Sequence, residues 1–69
     1  MAPSTPFRTI KKLLESNGWY LNRVRGSHHI FKHERLPTVS IPVHKNQVKA
    51  FYVKEIEKLI REAEAQDEG

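Results

Sequence analysis

The chain contains no cysteine, so neither a disulfide framework nor a thiolate metal site is open to it. Glycine is scarce, with three in 69 residues, which directs attention to Gly18 and Gly26 as the places where the backbone turns. No apolar run approaches the roughly 20 residues that span a bilayer, so no membrane segment or membrane partner is expected. The opening Met1-Ala2-Pro3-Ser4 lacks the charged-then-apolar layout of a signal peptide, and a cytoplasmic protein is the expectation. A chain of this length makes one small domain that buries only about 60% of the surface its unfolded form exposes. Residues 1–69 are therefore read as a single domain with a structured core over 6–62 and frayed ends at 1–4 and 66–69.

Acidic residues are also scarce over most of the sequence. Residues 1–54 hold ten Lys/Arg against Glu15 and Glu34, a net of +8, whereas residues 55–69 hold two Lys/Arg against six acids, a net of −4. A body this basic can neutralise several phosphates and release their counterions, the origin of sequence-independent nucleic-acid affinity. Solubility alone also accounts for a net charge of this size in a small domain.

Thr5 before Pro6 suits a helix start, and Phe7, Ile10, Leu13 and Leu14 recur at helical spacing up to Asn17-Gly18, which predicts a helix over Pro6–Asn17. Residues 19–25 are rich in aromatic and β-branched types, Gly26-Ser27 supplies a turn, and His29–His33 resumes the extended pattern, as in a hairpin. Val39, Ile41 and Val43 alternate in a third strand, with Pro42 marking an edge or an end. Residues 44–49 read as a polar loop. Tyr52, Val53, Ile56, Leu59, Ile60 and Ala63 then form a helical stripe that leaves Phe51 exposed and a charged face in water. The fold class is α+β, in the order α-β-β-β-α. A three-stranded antiparallel sheet carries both helices on one face and leaves the other open, a surface for RNA or for a protein.

Four histidines invite a metal reading, which strand geometry disfavours. His29 and His33 share a strand face but stand about 13 Å apart at roughly 3.3 Å per residue, and zinc takes its ligands at about 2 Å. His28 and His29 point to opposite faces. No metal and no cofactor is expected. Acid–base chemistry is the alternative, since an imidazole exchanges protons near neutral pH, and in RNA the ribose 2′-OH supplies a built-in nucleophile. A plain reading also stands, in which His28 and His29 are polar residues flanking a hairpin. Burying two histidines costs more than burying one, which favours the strand phase with Ile30 and His28 toward the helices and His29, Phe31 and His33 on the open face.

The helix ending Leu14 to Gly18, the run Trp19-Tyr20-Leu21-Asn22-Arg23-Val24-Arg25-Gly26-Ser27-His28-His29, and Val39-Ser40-Ile41-Pro42-Val43-His44 before a last helix together resemble the HicA toxins. These are small mRNA interferases of toxin–antitoxin systems, and the similarity covers about Phe7 to Ile60. It implies a double-stranded-RNA-binding-domain-like fold and metal-independent RNA cleavage by a single essential histidine. It also implies a hetero-oligomeric complex with a HicB-type antitoxin that covers the site. The fourth residue of the family's Gly-Ser-x-His maps to His29, while His28 falls on the variable position. The chain departs from the family pattern at Phe51-Tyr52 and in its tail from Ala63 onward.

The expected function is a toxin endoribonuclease acting on mRNA with His29 as the catalytic group. Arg23, Arg25, Ser27, His28 and Lys32 are the expected RNA-binding residues, Ser27 also orienting the site, and His33, His44 and Lys45 are the candidates for a second acid/base. Two alternatives use the same open face: a non-catalytic RNA-binding module, and a structural domain that docks a protein alone.

Overall fold

The structure is a computed structural model that describes residues 3–67, with side chains of the last helix described as far as Glu64. In chain order the elements are β1 (Ser4–Pro6), α1 (Phe7–Glu15), β2 (Tyr20–Arg25), β3 (His28–Lys32), β4 (Val39–Pro42), β5 (Gln47–Lys49) and α2 (Ala50–Asp67). The strands β2-β3-β4 make an antiparallel sheet in that order, and β1 pairs with β5 in a separate two-stranded ribbon. One face of the larger sheet packs on both helices. Ile10 and Leu14 from α1, Ile56 from α2, Trp19, Phe31, Val39, Ile41 and Val48 are all buried in one apolar cluster. The result is the small α+β domain expected, consistent with the double-stranded-RNA-binding-domain type of fold.

Helix α1 begins at Phe7 and ends at Glu15, shorter at both ends than the predicted Pro6–Asn17. Thr5 does not cap it. Thr5 pairs with Val48 in the β1–β5 ribbon instead, and Pro6 occupies the cap position without a side-chain hydrogen bond. The exit follows the glycine rule. Trp19 N–H donates to the Leu14 carbonyl at 3.0 Å and Gly18 N–H to the Glu15 carbonyl at 3.2 Å, the two bonds of a Schellman motif, with Gly18 at φ +97. Leu14 and Trp19, the pair that such a motif brings into contact, are both core residues.

Residues 44–49, expected as a loop, form a hairpin. His44 and Gln47 exchange backbone hydrogen bonds at 3.1 and 2.9 Å across Lys45 and Asn46, which sit at φ 52 and φ 62, the two left-handed positions of a type I′ turn. Val48 from the returning strand is fully buried, so this ribbon is part of the core. Regular structure thus runs from Ser4 to Asp67, wider than the expected 6–62, and Ser4, Gln66 and Asp67 lie within elements. The remaining residues expected to fray, 1–2 and 68–69, lie outside the described residues.

The strand phase is the reverse of the one favoured from sequence. Phe31 is fully buried, so Phe31 and His29 face the helices while His28, Ile30 and Lys32 face the open side. The desolvation argument fails because neither inward histidine is left without partners. His29 lies half-buried at the rim, and its Nδ1 sits 3.3 Å from the Ser27 carbonyl. His33 lies beyond the end of β3 and hydrogen-bonds through both ring nitrogens. Burial of a phenylalanine ring, worth about 1.5–3 kcal/mol, then decides the phase.

Candidate active site and nucleic-acid face

The β2–β3 turn positions the central histidine. Gly26 takes φ +60 at the first of two turn residues while Ser27 stays out of the left-handed region, the pattern of a type II′ hairpin. The Ser27 carbonyl accepts a hydrogen bond from Val43 N–H at 2.8 Å and also faces His29 Nδ1. A carbonyl only accepts, so Nδ1 carries the ring hydrogen and Nε2 keeps its lone pair in the neutral imidazole. Ser27 therefore meets the histidine through its backbone.

Phe7 closes the other side. Its ring lies 4.5 Å from the His29 ring at 52° and 6.2 Å from Phe31, linking the histidine to the core through two aromatic contacts. Phe7 N–H in turn donates to the Asn46 carbonyl at 2.8 Å, so the type I′ turn, the start of α1 and His29 are tied together. A cleft of about 440 Å³ opens at this junction, lined by Phe7, Arg8, Lys45 and Asn46 among others.

The basic residues expected around His29 lie elsewhere. In β2 the pairing skips Asn22, since Leu21 faces Phe31 and Arg23 faces Ile30. This bulge shifts the phase of the strand, so Tyr20, Arg23 and Arg25 join His28, Ile30 and Lys32 on the uncovered face. Directly paired residues share a face, which puts Leu21 and Val24 on the helix side with Phe31 and His29. Arg23, Arg25, His28 and Lys32 thus form one exposed basic surface with Tyr20, and His29 stands on the opposite side of the same sheet.

The three second-group candidates separate. His33 Nδ1 accepts hydrogen bonds from Arg35 N–H at 3.0 Å and Leu36 N–H at 3.2 Å, and its Nε2 lies 3.1 Å from the Asn17 carbonyl. Its ring packs edge-on against Trp19 at 4.7 Å. This ring splices the helix α1 exit to the 33–36 turn. His44 and Lys45 are exposed on the type I′ hairpin, and Lys45 lines the cleft beside Phe7. Among the described residues no group of three His, Asp or Glu side chains is placed to hold a metal ion. No described helix is long and apolar enough to cross a membrane.

Phe7 is the neighbour of His29 that sequence reasoning missed, and Arg8 and Asn46 line the cleft that Phe7 also lines. Phe7 read only as the first apolar position of a helix, and Lys45-Asn46 as loop. The cue available was two polar residues between short apolar runs, which is compatible with a turn but silent about what the turn touches.

Fold and site together define a dsRBD-type α+β domain with one tethered histidine at the rim of its core and a basic sheet face behind it. The sequence model described as HicA toxin of bacterial toxin-antitoxin matches residues 7–65, and the chain belongs to that family. It is accordingly of the toxin class of toxin–antitoxin systems. No curated protein and no solved structure gives a significant match.

Proposed function

We propose that this protein is a metal-independent endoribonuclease that cleaves mRNA with His29, and that a HicB-type antitoxin neutralises it by covering that residue in a hetero-oligomeric complex. The observation that carries the reading is the tether on His29, with Nδ1 turned to the Ser27 carbonyl and the ring backed by Phe7. That arrangement fixes the ring and directs the basic Nε2 away from its backbone partner. Family membership supports the toxin role and the need for an antitoxin.

In the proposed step Nε2 removes the ribose 2′-OH proton and O2′ attacks the adjacent phosphorus. The P–O5′ bond breaks and O5′ leaves with a proton, giving a 2′,3′-cyclic phosphate and a 5′-hydroxyl end. The departing proton comes from protonated His29 or from His44 or Lys45. His33 fits this role least, since both its ring nitrogens already serve backbone groups. The purified protein should degrade mRNA in excess EDTA and leave 2′,3′-cyclic phosphate and 5′-hydroxyl termini. End-group analysis of the fragments checks this: intact RNA, or fragments ending in 3′-hydroxyl, would overturn the mechanism.

A second reading is favoured by the position of Tyr20, Arg23, Arg25, His28 and Lys32 on the face away from His29. A basic face with an exposed aromatic ring can bind RNA with no chemistry at all. Under that reading RNA binding is strongly salt-dependent, yet no cleavage occurs and expression without an antitoxin leaves growth unaffected.

A further inference from the structure

If His29 is the reacting group, the phosphate beside it needs cationic partners, and those expected from sequence face the other way. We propose that Arg8 and Lys45 hold the RNA phosphate next to His29, in the cleft between the start of α1 and the 44–47 hairpin. This inference rests on the endoribonuclease reading for its catalytic meaning, but the binding it describes is measurable without it.

The cleft, of about 440 Å³, is linked to the histidine through Phe7, which lines it and whose ring lies 4.5 Å from the His29 ring, tilted at 52°. Its charged lining residues are Arg8 and Lys45, with no acid among them. Both are exposed, and among the described residues neither is engaged in an ion pair. Two cations on one concave surface with no counter-charge favour a phosphodiester over a neutral or cationic ligand. The hydrogen bond of Phe7 N–H to the Asn46 carbonyl fixes the spacing between the two elements that carry them. A strand entering the cleft would therefore meet both cations, with the imidazole one ring contact away across Phe7.

The backbone at Lys45 is consistent with a residue kept for its side chain. At φ 52 it occupies a left-handed position where glycine or asparagine is at ease and lysine is strained. Strain of this kind persists where the side chain has work that a better-fitting residue would not perform. Removal of the lysine and of the strain can thus be done in one substitution.

The test uses the full-length His29→Ala protein as a non-cleaving parent and a single-stranded RNA oligonucleotide, with affinity measured across a salt series. Lys45→Gly and Arg8→Gln should each weaken binding and reduce the slope of log K against log salt by roughly 0.7, the value for one lost phosphate contact on a single strand. Lys58→Gln on α2, which lines a different groove, is the charge-matched control. Lys45→Gly should also leave the melting temperature unchanged or raised, which separates lost contact from lost fold. Slopes and affinities no different from those of Lys58→Gln would overturn the inference, as would absence of RNA binding by the parent. Binding with these losses but no cleavage by the unsubstituted protein would overturn the catalytic reading alone.

Discussion

His29→Ala should lose RNA cleavage by a factor of about 10²–10⁴, the range positioned proton transfer contributes, while the protein stays folded and still binds RNA. The ring is half-buried and its contact with Phe7 is worth about 0.5–1.5 kcal/mol, so a fall of roughly 2–12 °C in melting temperature is the structural cost for a domain of this size. Single-turnover cleavage rates set beside thermal melts separate the two effects. His29→Gln sharpens the comparison, because it keeps a polar side chain at the rim but offers no imidazole. Equal cleavage by the parent and both variants would sink the assignment, and so would rate losses that simply follow the loss of folded protein.

Gly18→Ala should destabilise the fold strongly although it adds only a methyl group. A Cβ at this position would lie 2.6 Å from His33 Nε2, in a backbone conformation, φ +97, that L-residues avoid. The imidazole has little room to yield. Its far nitrogen accepts two backbone N–H groups, its near one faces the Asn17 carbonyl, and Trp19 packs against its ring. Backbone strain of about 1–3 kcal/mol and the loss of hydrogen bonds worth about 0.5–1.5 kcal/mol each bring the expected cost to roughly 2–4 kcal/mol. That is a large share of the stability of so small a domain. Denaturant unfolding of Gly18→Ala, His33→Ala and the double variant checks the cause. Relief of the clash should make the double variant more stable than the sum of the two single losses implies. Strict additivity would show that backbone strain alone is responsible.

Much of the fold was legible because its largest elements obey strong periodicity. Ile10 and Leu14 point inward from α1 and Ile56 from α2, Gly18 and Gly26 take the positive φ their positions demand, Pro42 ends an edge strand, and Phe51 is exposed. The β1–β5 ribbon was not legible. Three-residue strands are too short to show alternation, and Thr5-Pro6 carries the marks of a helix start whether or not the chain uses them. The phase of the hairpin was misread because its cost depends on distant groups. Asn17, Arg35 and Leu36 supply what satisfies His33, and nothing near His33 in the sequence announces Asn17 as a partner. The same holds for the candidate site. The Gly-Ser-x-His motif singles out His29, but the contact of Phe7 with its ring, and the cleft that Phe7 lines together with Arg8 and Lys45, follow from tertiary packing.

The unpaired Asn22 has a further consequence for length variation in this strand. Leu21 and Arg23 face neighbouring residues of β3, so the ladder would be regular if Asn22 were absent. A chain one residue shorter at this point keeps every side chain of β2 on its present face. A deletion elsewhere in the strand is taken up at the bulge and exchanges the wet and dry sides only of the residues between the gap and Asn22. Spacing between the helix exit and the histidine turn can therefore change by one residue at position 22 without moving the basic surface or the imidazole.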